Sequence, residues 1–153
     1  MIGVRRACLA DLDALLDLEH AAFGTGAWSR QAIAAEFLEL GSTREIVVAD
    51  HDADVSVVHG YAVGRYVADT ADVNRLVVGA SRRRRGVGSQ LLTALVVEAQ
   101  QRGCERMLLE VAAANISAIG LYAAHGFETI DRRPRYYNGV GDAVVMQRRL
   151  GHD

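Results

Sequence analysis

The stretch Arg82-Arg83-Arg84-Arg85-Gly86-Val87-Gly88-Ser89-Gln90-Leu91-Leu92 decides how the rest of the chain is read. It opens with four arginines, passes through two glycines one residue apart, and becomes an apolar-periodic helix. Val73 to Val78, just before it, is a β-type run. Strand, basic glycine-rich turn and helix is a recurrent way to hold a phosphate. The turn aims backbone N–H groups inward, and the first helical turn adds further N–H groups and the positive end of the helix dipole. Glycines at 86 and 88 let the backbone come close to an anion. On this stretch alone a second reading stays open, in which the arginines are a solvated face or a nucleic-acid patch. Two phosphate loops are excluded. The chain has no lysine, so no Walker loop can form, and Leu91 stands where the dinucleotide fingerprint needs its third glycine.

Outward from this stretch, the pattern gives eleven elements. A strand over 3–7 is followed by a helix from Asp11, its expected N-cap, to about Ala22. Ser29 is the expected cap of a second helix reaching about Leu40. Strands follow over 45–49, 55–66 and 73–78, with Gly60 and Gly64 marking bulges or close backbone approach. A helix over 88–101 ends at Gly103. Then come a strand over 106–111, a helix over 115–124 and strands over 127–130 and 143–147. The order β-α-α-β-β-β-α-β-α-β-β implies an α/β (α+β) fold: one mixed, mostly antiparallel sheet of about seven strands flanked by four helices on both faces. With 153 residues, half of them hydrophobic, the chain is expected to be a single domain over 1–153.

Composition narrows the function classes. No run of about 18 apolar residues exists and no apolar signal segment opens the chain, so a cytoplasmic protein with no membrane contact is expected. Cys8 and Cys104 form no disulfide framework. The five histidines share no ligand spacing, so no metal is expected. Net charge is −2, but residues 1–72 hold 12 acidic residues against 5 arginines and residues 73–153 hold 7 against 12. The back half suits an anion and the front half a cationic partner.

Two residues stand out chemically. Glu110 interrupts the apolar strand Met107-Leu108-Leu109-Glu110-Val111. A carboxylate there must be paired, neutral or cleft-lining. It is either a salt-bridged structural residue or a general base at the mouth of an open sheet. Tyr122 shares a helix face with Asn115, Ala118 and Ile119, and by itself reads as a half-buried core tyrosine.

Arg83-Arg84-Arg85-Gly86-Val87-Gly88, then Asn115 to Tyr122, then Gly126-Phe127, resemble the acetyl-CoA-binding core of the Gcn5-related N-acetyltransferase (GNAT) family. Ala27-Trp28-Ser29, Leu109-Glu110-Val111 and the segment from Arg132 to Tyr137 are similar to its RimI-type branch, whose members acetylate the N-terminal alanine of a ribosomal protein. Alanine replaces the usual proline before Trp28, and two residues, Pro134-Arg135, separate the arginine and tyrosine pairs where one is usual. The resemblance implies acetyl-CoA as co-substrate and a protein or peptide N-terminus as partner, with no direct nucleic-acid binding. It implies that the backbone of Arg84, Arg85, Gly86, Val87, Gly88 and Ser89 holds the pyrophosphate, with Arg83 lining the same site. Val78 would pair with the pantetheine arm, Asn115 would contact it, and Tyr122 would sit near the thioester sulfur. Glu110 would be the base, acting through water, and Tyr122 the acid, with direct attack in a ternary complex. Phe23 to Ser29 and Arg135 to Asn138 would wall the acceptor groove, with Trp28, Tyr136 and Tyr137 as its aromatic groups. The chemistry is sufficient: an α-amine of pKa about 7.7–8 requires only modest base assistance. The rival readings are an acetyltransferase for a small amine or a lysine side chain, and a non-catalytic acyl-CoA-binding module.

Overall fold

The computed structural model describes residues 2–51, 54–80, 86–134 and 141–151. The eleven expected elements are present in the expected order: β1 (Ile2–Arg6), α1 (Leu12–Phe23), α2 (Arg30–Leu38), β2 (Arg44–His51), β3 (Asp54–Val67), β4 (Thr70–Val78), α3 (Val87–Gln101), β5 (Arg106–Ala112), α4 (Ile116–Ala124), β6 (Glu128–Arg133) and β7 (Ala143–Arg149). The strands form one seven-stranded sheet in the order β1-β2-β3-β4-β5-β7-β6. Every described pairing is antiparallel except β4 with β5. That parallel pair requires a crossover, and α3 supplies it. No described helix is long and apolar enough to cross a membrane.

Two apolar layers sandwich the sheet. On one face, Leu91, Leu92, Leu95 and Val96 of α3 pack with Ala71, Val73, Met107 and Leu109, joined by Tyr122 of α4. On the other, Leu15 and Leu16 of α1 and Ile33 of α2 pack with Ile46, Val48, Tyr61, Val63 and Val77. The alternation of strand residues assigns each side chain to one layer.

In β4 the alternation is broken once. Val63 pairs with Arg75 and Gly64 pairs with Val73, which leaves Asn74 as an extra residue in β4. Such a bulge reverses the parity of the strand beyond it. Ala71 and Val73 face α3, whereas Val77, two residues after Arg75, packs in the α1–α2 layer. Gly64 lies at this step, as expected for one of the two strand glycines. The other, Gly60, is a point of close approach: a Cβ there would stand 2.7 Å from the Val77 carbonyl oxygen.

Caps follow the sequence with one difference. Ser29 Oγ accepts from the Ala32 N–H at 3.1 Å and Asn115 Oδ1 from the Ala118 N–H at 3.2 Å. Gly103 takes the left-handed conformation after α3, φ +78°. Asp11 precedes α1 but does not cap it. Its carboxylate accepts from the Cys8 N–H at 2.8 Å and from Arg5 Nη1 and Nη2 at 2.9 and 2.8 Å, and the residue is fully buried. Arg5 also reaches Asp50 at 2.5 Å, so the salt bridge won this carboxylate from the helix end.

Candidate functional site

The sheet itself opens the site. β4 and β5 pair only from Thr70↔Arg106 to Val73↔Leu109. Beyond that rung β4 runs on to Val78 and β5 to Ala112 without pairing to each other. The strands diverge, so the β4 edge from Asn74 onward is not covered by β5. A cavity of about 310 Å³ occupies the divergence. Its walls include Phe23 of α1, Asn74 to Leu76 of β4, Glu110 to Ala112 of β5, and Asn115, Ala118 and Tyr122 of α4.

Glu110 is the first residue of β5 past the last shared rung. Met107 and Leu109 point into the α3–α4 layer, so alternation turns Glu110 to the opposite side, toward the acceptor wall expected at Phe23. Glu110 is thus cleft-lining, and its side chain is 30% exposed. Arg133 Nη1 lies 3.8 Å from its Oε2, and the Arg133 side chain is 64% exposed. A pair this long and this wet contributes little to stability.

Tyr122 approaches the same cavity from the other layer. It is 7% exposed, and its ring meets Phe127 edge-on with centroids 5.9 Å apart. Burial pushes its phenol pKa up to about 12. Asn115 lines the cavity as well as capping α4. The cavity thus joins the two layers through the gap between β4 and β5, with a carboxylate from one side and a phenol from the other.

The glycines before α3 act for different reasons. Gly86, the residue before the helix, has φ +79°, and among the described residues a Cβ there would meet nothing within 4 Å. Its conformation is what favours glycine. Gly88 lies inside α3, where a Cβ would stand 3.2 Å from Leu121 of α4 and 3.6 Å from Val78 of β4. It lets α3 close on the strand and helix that border the gap. Val87 is buried beneath the helix start. Ser89 Oγ lies 2.8 Å from Nε2 of His125 at the end of α4, which ties the two helices together. Burial, then the nearby Arg148, lowers the His125 pKa. Val78 ends the open β4 edge and pairs on its other side with Gly60. Arg83, Arg84, Arg85, Tyr136 and Tyr137 lie outside the described residues.

Sequence reasoning missed a network behind the acceptor wall. Glu19 of α1 is fully buried. Its carboxylate accepts from Arg75 Nε at 2.6 Å, Arg75 Nη2 at 2.9 Å, the Trp28 N–H at 2.8 Å and the Tyr61 hydroxyl. Burial alone would push the Glu19 carboxyl up, but the bonds from Arg75, Tyr61 and Trp28 outweigh it and hold it below the ordinary range. The Arg75 guanidinium stacks over the Phe23 ring, 3.8 Å from its centroid, and the Trp28 ring, 4.7 Å away. Trp28 therefore stands behind Arg75 and is not among the residues lining the cavity, whereas Phe23 and Arg75 are. The available signal was an arginine inside the apolar run Val73 to Val78.

A family model described as the acetyltransferase (GNAT) family matches residues 12–127. The chain belongs to the GNAT acetyltransferase family. The [ribosomal protein bS18]-alanine N-acetyltransferase of Escherichia coli K12 is 36% identical over 89 residues, which span 56% of this chain and 60% of that relative. A Bacillus subtilis protein that carries the same designation provisionally is 28% identical over 145 residues, 94% of this chain and 93% of its own. The crystal structure of the ribosomal-protein-S18-alanine N-acetyltransferase from Escherichia coli superposes with a TM-score of 0.87 at 27% identity, covering 100% of this chain and 96% of that one. The expected RimI-type GNAT resemblance and the expected fold both hold.

Proposed function

We propose that this chain transfers the acetyl group of acetyl-CoA to the N-terminal α-amine of a protein, and that the acceptor is the N-terminal alanine of a small-subunit ribosomal protein. The observation that carries this reading is the meeting of Glu110 and Tyr122 in one cavity at the point where β4 and β5 diverge. Family membership and the designations of the Escherichia coli and Bacillus subtilis relatives support the donor and the acceptor.

The residues fit acetyl-CoA as substrate. The uncovered β4 edge offers backbone groups to an extended amide-bearing chain, ending at Val78. The segment entering α3, with Gly86 left-handed and a first helical turn whose N–H groups have no partner within the helix, suits a pyrophosphate. Arg83, Arg84 and Arg85 add charge to that segment, and Asn115, which lines the cavity with Tyr122, would contact the pantetheine arm. The neutral amine attacks the thioester carbonyl. As the C–N bond forms, Glu110, through one water, takes a proton from the nitrogen. As the C–S bond breaks, Tyr122 donates its proton to the departing thiolate, and the proton held by Glu110 returns to the phenolate through solvent. A buried phenol that stays protonated across the working pH range suits that role. No covalent intermediate is involved, so much of the rate comes from holding amine and thioester together. Trp28, Tyr136 and Tyr137 belong to the acceptor side in this reading.

The test is incubation of the protein with acetyl-CoA and a peptide library, followed by mass spectrometry of N-terminal peptides. Acetylation of alanine-started α-amines is expected. Turnover confined to polyamines, aminoglycosides or internal lysines would replace the acceptor, and a thermal shift with acetyl-CoA but no acetylated amine would replace the activity.

A further inference from the structure

We infer that Arg75 reads the acceptor's main chain, donating from Nη1 to the first carbonyl of the peptide whose amine is acetylated. This rests on the peptide-acceptor reading above and names the group that distinguishes a peptide from a simple amine.

The guanidinium is used on most of its surface. Its flat faces meet Phe23 and Trp28. Its Nε and Nη2 edge is engaged with both oxygens of Glu19, leaving Nη1 as the nitrogen not bonded to that carboxylate. Arg75 nonetheless lines the cavity together with Glu110. The charge of Arg75 is matched by a carboxylate that is fully buried. Arg75 thus brings to the cavity wall a guanidinium held in place from three directions, with its charge already balanced by Glu19. A neutral carbonyl suits such a donor. An acceptor carboxylate would gain little from it and would face Glu110 and Asp142 elsewhere on the cavity wall.

Topology makes the placement specific. Arg75 is two residues past the last shared rung on β4, and Glu110 is one past it on β5. Arg75 pairs with Val63, which packs in the α1–α2 layer, and so stands on the α1 side of the sheet, the side that Glu110 also faces. An amine held at Glu110 has its own chain's first carbonyl two bonds away, within the same opening. Phe23 and the Trp28 N–H are locked to this arrangement through Arg75 and Glu19. Glu19 is accordingly a positioning residue, and Arg75 the one that touches the acceptor.

Steady-state kinetics on the full chain test this, with an alanine-started peptide and the same peptide thionated at its first carbonyl, a weaker hydrogen-bond acceptor. Arg75→Lys keeps a charge beside Glu19 but loses the second donor edge. Its acceptor KM should rise about tenfold or more, with kcat and the acetyl-CoA KM within about twofold of wild type. Thionation should lower kcat/KM several-fold for wild type and have no further effect on Arg75→Lys. An unchanged acceptor KM, or an equal thionation penalty in both proteins, overturns the inference while leaving the function intact. If Arg75→Lys does not fold, wild type decides alone: equal kcat/KM for the two peptides overturns it. A wild-type protein that acetylates no peptide α-amine overturns the proposed function, and this inference with it.

Discussion

Val73 and Leu109 form the last rung that β4 and β5 share. Up to that pair the sheet is continuous and its two apolar layers are separate. Past it, the cavity connects them, and Glu110 and Tyr122 line one opening from opposite sides. A sheet of paired strands would have kept the carboxylate and the phenol apart.

Replacing either group should remove chemistry and spare binding. Glu110→Gln keeps the shape of the side chain, and Tyr122→Phe keeps the edge-on contact with Phe127. Each should lower kcat by roughly a hundred- to ten-thousandfold, the usual worth of a positioned acid or base. Acetyl-CoA affinity measured by calorimetry should stay near wild type. Wild-type kcat in both variants would remove these roles.

The pH profile follows from which group titrates where. On the acidic side the rate falls because the acceptor amine is protonated below its pKa of about 7.7–8. Burial raises the Tyr122 phenol to about 12, so its acid form persists through the neutral and mildly alkaline range. The logarithm of kcat/KM should therefore climb, bend at the amine's pKa, reach its plateau at about pH 9 and hold it to about pH 10. A decline between those values that vanishes in Tyr122→Phe would show that the phenol titrates lower than its burial implies.

Much of this was legible in the residues. Helix periodicity, the glycine punctuation and the alternating strands gave all eleven elements in order, because each is fixed by local chemistry. Glu110 was visible as a lone carboxylate in an apolar strand. Arg75 carried the same kind of signal, but its partner Glu19 is 56 residues away. On its own helix Glu19 looks like any surface acid, so only the packing of α1 on the sheet reveals the pair. Asp11 misled for a similar reason: a helix-capping residue type was claimed by Arg5.

Gly86 and Gly88 should respond differently to alanine. Gly86→Ala forces a side chain into a left-handed backbone with open space around it. The cost is about 1–2 kcal/mol, or the loop rearranges to avoid it. Acetyl-CoA affinity should fall together with a Tm lowered by a few degrees. Gly88→Ala presses on the end of the Leu121 side chain, which can yield, so its effect should be smaller. Thermal melts with and without acetyl-CoA compare the two directly.

Acid should dismantle the Glu19 network. The folded pKa of Glu19 lies below its ordinary value of 4.5, held there by Arg75, Tyr61 and Trp28 against the opposing effect of burial. A lowered folded pKa means stability that is present above the unfolded value and lost as pH falls through the folded one. Glu19→Gln should cost about 3 kcal/mol at neutral pH, since it leaves Arg75 without its counter-charge. In denaturant titrations the gap between the two proteins should hold constant down to about pH 5 and narrow below 4.5. A gap independent of pH would mean that the carboxylate's charge contributes nothing.

Asn74 gives β4 something like a reading frame. Before it, odd-numbered residues belong to the α3 layer; after it, odd-numbered residues belong to the α1 layer. With Gly64↔Val73 and Val63↔Arg75 kept, deleting this one residue would leave every other side chain on its present face, Arg75 beside Glu19 included. What the extra residue supplies is a local bend of β4 at the rung where β5 stops pairing with it. The length of β4 here therefore shapes the mouth of the cavity more than the sorting of the core.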